Sequence, residues 1–296
     1  MTDRLHIGFK TSPQDVDWPT LDATWATAGE LDVFDSGWMN DHLSDPSLAS
    51  GGSSWEPLTL AAALARRVPG KWLGHAVLSN TFRHPAILAK QATALDHITG
   101  GRFILGLGAG WHDGEHAAYG IPLPPVGERI SRLESALRVV RALGSAAAAQ
   151  APGVTLDDPY YPLVEATNLP APRTPGGPPI WLGGQRPRGF RLAAEFADGW
   201  VLPASPDEGL TEFCERREAI LAALAAIGRD PVGFAFAAQL TTGTSGEDRR
   251  GALAAAREFA RAGATHILLG MPARLGPEGL VAVAREIAEP LRDGLH

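Results

Sequence analysis

Short runs of apolar and β-branched residues alternate with longer amphipathic stretches along almost the whole chain. In the longer stretches apolar residues recur three or four positions apart, as at Trp18, Leu21 and Trp25, and this spacing predicts helices. The shorter runs predict strands. The predicted strands cover residues 5–9, 33–39, 72–79, 102–108, 179–182, 199–202, 232–239 and 265–269. The predicted helices cover residues 18–28, 56–68, 86–98, 130–140, 188–196, 210–227, 249–261 and 280–291.

Eight strand–helix units in 296 residues are typical of a closed (β/α)8 barrel. A doubly wound open sheet is the alternative, but such sheets rarely contain eight regular repeats. We expect a single domain over residues 1–296. Residues 144–178 interrupt the pattern with an alanine run and many prolines, and a loop of this length is usually functional or mobile. We expect this segment to sit above the barrel mouth, after the fourth strand, and to form a lid.

Composition restricts the class of function. Hydrophobic residues make up 45% of the chain and charged residues 20%, which indicates a globular protein. The net charge of −7 and the lack of a basic run argue against binding to nucleic acid or anionic membranes. The single cysteine, Cys214, excludes an internal disulfide framework and a cysteine-based zinc site. No apolar stretch is long enough to span a bilayer, and the first ten residues lack the apolar core of a signal peptide. We therefore expect a cytoplasmic protein that acts on a small molecule.

The reactive groups of a (β/α)8 barrel lie at its mouth, where the strands have their C-terminal ends. The most polar of the predicted strand ends is Asn40-Asp41-His42. A histidine at this place can move a proton near neutral pH, although it could also cap a helix or be satisfied in the core. Lys10, one of three lysines, follows the first strand and either faces a substrate or caps the strand at the surface.

Two glycine-rich strand ends predict a binding site for a flat, phosphorylated ligand. The run 106–110 lacks the spacing of a dinucleotide fingerprint, and its small residues either let a flat ligand lie against the backbone or form a tight turn. Gly183-Gly184 is followed by Arg186 and Arg188 at the head of a helix. Free backbone N–H groups together with arginine make an anion site there.

The segment 112–116 matches the H-x-x-E-H pattern of zinc peptidases. Gly114 weakens the helix that this pattern needs, and no third ligand is evident, so we predict no metal. Glu115 fits better as a residue that braces the loop or contacts substrate. Trp38 and Trp111 come at strand ends and could stack on a planar ligand.

Several longer motifs, in order along nearly the whole chain, resemble the luciferase-like flavin/deazaflavin oxidoreductase family. They begin with 34–42 (Phe-Asp-Ser-x-Trp-x-x-Asp-His) and 80–86 (Asn-Thr-Phe-Arg-His-Pro-Ala) and continue with 100–111 and 119–122. They end with 178–184 (Pro-Pro-Ile-Trp-Leu-Gly-Gly) and 197–200 (Ala-Asp-Gly-Trp). The opening residues 7–12 and the stretch 121–124 are most similar to an actinobacterial subgroup that uses coenzyme F420.

This resemblance implies a cofactor ring at the barrel mouth. The ring would rest on a bulge in the third strand with a non-proline cis peptide at Ala76–Val77, and the cofactor phosphate would lie at Gly183, Gly184 and Gln185, with Arg186 nearby. The implied cofactor-binding residues are Asn40, Ala76, Val77, Ser79, Gly108, Ala109, Gly110, Gly183, Gly184, Gln185 and Arg186.

The resemblance also assigns catalytic roles. It implies that His42 exchanges a proton during hydride transfer, and we expect Asp41 to orient it. Lys10, Trp38, Trp111 and Glu115 are the expected substrate contacts. The chain departs from the sugar-phosphate dehydrogenase branch at Trp111, where that branch has a glutamate, so the identity of the acid stays open.

The sequence therefore predicts an F420-dependent oxidoreductase, a reductase of an enone or imine for example, and the resemblance implies a homodimer. The first alternative is an FMN-dependent monooxygenase that needs O2 and a partner flavin reductase. The others are a metal-dependent hydrolase using His112 and His116, and a barrel that binds flavin without turnover.

Overall fold

The computed structural model describes residues 4–46, 52–203 and 209–294. Eight parallel barrel strands close into a (β/α)8 barrel, which confirms the predicted fold. With a separate hairpin and a short continuation of the third barrel strand, the described residues form eleven strands: β1 (His6–Thr11), β2 (Ser36–Met39), β3 (Trp72–His75), β4 (Leu78–Ser79), β5 (Phe103–Gly108), β6 (Val154–Leu156), β7 (Leu163–Ala166), β8 (Ile180–Leu182), β9 (Gly199–Leu202), β10 (Ala235–Thr241) and β11 (His266–Met271).

Around the barrel the strands follow the order β3-β2-β1-β11-β10-β9-β8-β5, and pairing of β3 with β5 closes it. The short β4 continues the third barrel strand beside β5, and β6 and β7 form a separate hairpin. The helices are α1 (Trp18–Glu30), α2 (Pro57–Leu64), α3 (Pro85–Ile98), α4 (Asp113–Tyr119), α5 (Val126–Gly144), α6 (Pro187–Phe196), α7 (Leu210–Ala226), α8 (Gly246–Arg261), α9 (Gly276–Val283) and α10 (Glu289–Asp293). None of the helices in the described ranges has the length and apolar character that a membrane span requires.

The third barrel strand is interrupted where the resemblance implied a bulge. The Ala76–Val77 peptide is cis, as predicted, and it separates β3 from β4. Glycines on β5 make room for the irregular backbone. A Cβ atom at Gly106 would lie 1.8 Å from the carbonyl oxygen of His75, and one at Gly108 would lie 2.9 Å from the side chain of Val77. The interruption thus requires glycine on the neighbouring strand.

Side chains alternate between the barrel interior and the surrounding helices, as the strand period requires. On β1, Phe9 points outward and packs on Trp25 of α1. The middle of the interior is filled by Trp38 and Trp181, whose rings stack at 5.0 Å. A Cβ atom at Gly8 or Gly74 would come within 2.7 Å of the Trp38 ring, so small residues on β1 and β3 make space for it.

Residues 144–178 pack on the outside of the barrel, and these contacts give the expected lid over the mouth no support. The segment follows the C-terminal end of α5, and a barrel helix returns the chain to the end opposite the mouth. Its β6–β7 hairpin and the residues after it lie against α3 and α5. Asn168 donates to Thr93 and to the carbonyl of Leu143, and Thr174 bonds Asp96. The segment therefore supports the outer wall of the barrel.

Candidate active site

His42 lies at the barrel mouth, where its ring contacts the carboxylate of Glu115. Its Nδ1 lies 2.8 Å from Oε2 of Glu115. The other oxygen of Glu115 accepts the backbone N–H groups of Leu43 and Ser44, at 2.6 and 3.2 Å. Glu115 is only 1% exposed. Because a carboxylate can only accept, Nδ1 carries the proton in this arrangement and Nε2 is left as the basic nitrogen.

Asp41 does not orient His42, and that expectation was wrong. Its two oxygens accept a bidentate pair from Arg83, at 2.6 and 2.9 Å, and Oδ2 also accepts the N–H of Ser79. Successive residues of an extended segment point in opposite directions, so neighbours in sequence rarely contact the same group. Asp41 instead fixes the end of β2 to β4.

The H-x-x-E-H segment forms the start of helix α4. Nδ1 of His112 accepts the N–H of Glu115 and caps the helix. Both ring nitrogens of His116 are engaged, with the carbonyl of His112 and with Thr81. Within residues 4–46, 52–203 and 209–294, no group of three His, Cys, Asp or Glu side chains is placed to hold a metal. The geometry gives the metal-hydrolase alternative no support.

Lys10 lies at the mouth end of β1. Its ammonium donates to the carbonyl of Ala76 at 3.3 Å and to the side-chain oxygen of Gln239. Burial lowers the pKa of Lys10 to about 8. The lysine thus connects the interrupted third strand to β10, with its charge only weakly favoured.

Glycines make the floor of the mouth flat around Val77. Cβ atoms at Gly108 and Gly183 would lie 2.9 and 3.2 Å from the Val77 side chain. Gly110 has φ +82°, and a Cβ atom there would lie 2.4 Å from Thr81. Ala109 is the next small residue on the same strand end. Strand ends β4, β5 and β8 therefore present backbone and small side chains to the mouth.

Helix α6 begins at the mouth, with Arg186 between it and Gly183, Gly184 and Gln185. A Cβ atom at Gly184 would lie 3.0 Å from the Gly189 backbone, so glycine allows the helix to approach β8 closely. Arg186, the residue before the helix, provides no side-chain cap and is exposed. Arg188 points elsewhere, because it bonds Ser131 and Glu134 of α5. Of the two arginines, Arg186 is the one available to an anion.

The two tryptophans predicted as ligand contacts have different positions. Trp111 is 63% exposed and its ring stands edge-on to His42, with 6.0 Å between centroids. Trp38 is fully buried in the barrel and its indole N–H donates to Ser36. The expectation that Trp38 contacts substrate at the mouth was wrong, because its side chain fills the interior below the strand ends.

Asn40 and Ser79 line the mouth beside these groups. The amide nitrogen of Asn40 donates weakly to Ser12 and Gln14, at 3.3 and 3.4 Å, and Ser79 shares a 2.6 Å hydrogen bond with Thr81. The carbonyl oxygens of the Asn40 and Asn80 side chains are buried and have no hydrogen-bond partner in the described residues. These acceptors are available to a polar ligand or to water.

Sequence reasoning missed the partners that hold these residues in place. Arg83 binds Asp41 across 42 positions, and Gln239 binds Lys10 across 229. Local patterns give no signal for contacts at such separation. The His112–Glu115 cap was readable, because a side chain that accepts from the third residue of a helix is a local motif.

Comparison with known proteins gives consistent matches. The family described as luciferase-like monooxygenase matches residues 22–290. Phthiodiolone/phenolphthiodiolone dimycocerosates ketoreductase of Mycobacterium bovis (strain BCG / Pasteur 1173P2) is 30% identical over 257 residues, covering 79% of this chain and 65% of that protein. F420-dependent glucose-6-phosphate dehydrogenase of Microbacterium testaceum (strain StLB037) is 31% identical over 211 residues, covering 71% of this chain and 60% of that protein. The chain thus spans 60–65% of the length of these two relatives.

The fold also matches a solved structure of an F420-dependent secondary alcohol dehydrogenase in complex with an F420–acetone adduct. The TM-score is 0.80 at 18% identity, and the match covers 98% of this chain and 99% of that one. At this identity the likeness is one of fold.

Proposed function

Because the chain belongs to the luciferase-like monooxygenase family, we propose that it is an F420-dependent oxidoreductase that reduces a small organic substrate, such as an enone or imine. The observation that carries the proposal is the His42–Glu115 pair, which holds a basic ring nitrogen at a glycine-lined barrel mouth. The F420-dependent relatives support the choice of cofactor.

The residues at the mouth fit a flat, phosphate-bearing cofactor. Gly108, Gly110 and Gly183 leave the floor around Val77 free of larger side chains. The start of α6 has no side-chain cap, so its backbone N–H groups and the exposed Arg186 could hold a phosphate. The orphaned oxygens of Asn40 and Asn80 provide acceptors for ring N–H or hydroxyl groups.

When bound, coenzyme F420 supplies the ring carbon, C5, that gives up or receives a hydride. The chain positions the reactants and moves the proton. Nε2 of His42 takes up or delivers that proton, while Glu115 fixes the ring orientation and tautomer. Trp111 covers the mouth beside His42, where it contacts substrate and helps to exclude water. Lys10 contributes a positive group below the substrate.

An FMN-dependent monooxygenase, with O2 and a partner flavin reductase, is the second candidate, and the description of the family favours it. A glycine-lined floor and a helix N-terminus suit FMN as well as F420. The two cofactors differ in the extended acidic tail of F420, which requires positive charge at the rim of the mouth.

The test is a titration of the purified protein with F420 and with FMN, followed by tryptophan fluorescence. We expect F420 to bind at micromolar concentration or tighter and FMN to bind much more weakly. Preference for FMN would contradict the proposal and lead to an oxygen-dependent assay with a flavin reductase. Binding of neither cofactor would show that the mouth is not a cofactor site.

Two arginines of the same region provide a matched pair. Arg186→Ala should weaken F420 binding roughly tenfold, because it removes a charge-assisted hydrogen bond to the cofactor. Arg191→Ala removes a charge farther along α6, from a side chain that is 61% exposed, and should leave the affinity unchanged. Equal effects of the two variants would mean that Arg186 acts only through general electrostatics.

A further inference from the structure

A cavity lies at the end of the barrel opposite the mouth. Its volume is about 210 Å³. The residues around it come from the first positions of the barrel strands and from the turns before them. They include His6 at the start of β1, Ser36 at the start of β2, Trp72 at the start of β3 and His266 at the start of β11. The cavity is therefore separate from the proposed catalytic mouth.

The stacked pair Trp38 and Trp181 forms the inner wall of this cavity. The residues of β1 that face the barrel interior are His6, Gly8 and Lys10. The ring of Trp38 lies at the level of Gly8, between the other two. The two indoles thus lie between the cavity and Lys10 at the mouth. Trp72 and Ile104 add further apolar wall. A planar apolar molecule would contact ring faces on several sides.

The polar groups around the cavity make it neutral. The carboxylate of Asp198 is already matched, because it accepts from Arg141 at 2.8 Å and from the N–H of Ile180 at 2.9 Å. Burial holds the pKa of His266 well below its usual value and also lowers the pKa of His6. The two imidazole rings stack with 4.6 Å between their centroids, an arrangement that positive charge on both rings would oppose. Among the described residues that line the cavity, none carries an unmatched charge that would attract an ion.

One buried polar atom of the cavity lining lacks a partner within the described residues. Nε2 of His6 is buried and makes no hydrogen bond with the described residues. A buried imidazole nitrogen left in this way costs free energy unless a ligand or water satisfies it. The hydroxyl of Ser36 also lines the cavity, and its oxygen accepts the indole N–H of Trp38.

We propose that this cavity binds a small, neutral, planar aromatic molecule that carries one hydroxyl or N–H group. An apolar cavity of about 150 Å³ is large enough for benzene, so the observed volume accommodates one ring with a substituent or two fused rings. The ring lies against Trp38, Trp72 and Trp181, and its polar group bonds Nε2 of His6. The site does not depend on which cofactor the mouth uses.

The experiment uses phenol, indole and benzene as probes in calorimetric titrations of the full chain. Phenol and indole should each bind to one site, and benzene should bind roughly three- to tenfold more weakly because it leaves His6 unsatisfied. Ile104→Phe fills the cavity and should weaken phenol binding at least about tenfold. Trp111→Ala changes the mouth and should leave phenol affinity unchanged. A thermal melt of each variant establishes that it is folded.

A second measurement does not depend on any variant. In spectra of protein with 15N-labelled tryptophan, phenol should shift the indole N–H signals of Trp38, Trp72 and Trp181 and leave that of Trp111 in place. Shifts confined to Trp111, or phenol binding that Trp111→Ala abolishes and Ile104→Phe does not, would assign the probe to the mouth and overturn the proposal. The lack of saturable binding of every probe would overturn it as well.

Discussion

At the scale of single residues, Glu115 determines which nitrogen of His42 carries the proton. In Glu115→Gln the side-chain oxygen can still accept from Leu43 and Ser44, but an NH2 group then faces Nδ1 of His42. The histidine must change tautomer, and without the carboxylate the doubly protonated ring that delivers a proton from Nε2 during reduction is no longer stabilised. We expect kcat to fall at least about tenfold, with cofactor affinity and melting temperature little changed.

The readouts for Glu115→Gln are steady-state kinetics, its pH profile and a cofactor titration. The altered tautomer should also change the pH dependence of kcat, which a purely structural defect would not. Glu128→Gln removes an acidic group from an exposed ion pair with Arg132 and is the control. An unchanged kcat in Glu115→Gln would mean that His42 does not act through this pair.

Lys10 gives a pH-dependent contribution to stability. Its pKa is about 8 in the folded protein and near the ordinary 10.5 when unfolded. Between these values the unfolded state binds more protons, so the stability of the protein relative to Lys10→Met should rise with pH, by up to about 3 kcal/mol. Below pH 8 the difference should be flat. Denaturant unfolding of both proteins from pH 7 to 10.5 measures this, and parallel curves would contradict the lowered pKa.

At the scale of elements, Gly106 lets strand β5 pass the interrupted third strand. Gly106→Ala would place a Cβ atom 1.8 Å from a backbone oxygen of His75 and should destabilise the protein by about 3 kcal/mol or more. Gly251 lies inside α8 with open space around it, so Gly251→Ala should stabilise by about 0.5–1 kcal/mol. Urea unfolding measures the free energy of unfolding of both variants. If both variants were destabilised, or both stabilised, the backbone contact at β5 would not be the cause.

The elements also mark the limit of what the sequence could predict. Hydrophobic periodicity was sufficient for the eight strand–helix units, because each strand is buried between helices and interior and each helix buries one face. It could not place Trp38, whose direction depends on the register of β2 against β1 and on glycines at Gly8 and Gly74. Nor could it pair His42 with Glu115, which are 73 positions apart.

At the scale of the whole molecule, the barrel has two different ends. The mouth holds the His42–Glu115 pair, and the opposite end holds the aromatic cavity around His6. Trp38 and Trp181 fill the space between them. The helices carry the chain back to the cavity end, where the long segment after α5 begins, and that segment packs along the wall formed by α3 and α5.

That arrangement predicts that residues 144–178 matter for stability and not for turnover. Asn168→Ala removes two buried hydrogen bonds, to Thr93 and to Leu143, and should cost about 1–3 kcal/mol. The melting temperature should fall by several degrees, whereas kcat and KM measured well below it should stay within about twofold of the parent values. A lid residue would behave in the opposite way, with altered kcat and KM at little cost in stability. Calorimetry and steady-state assays of the same preparation therefore distinguish a supporting wall from a lid. A selective loss of kcat would instead support the interpretation of this segment as a lid.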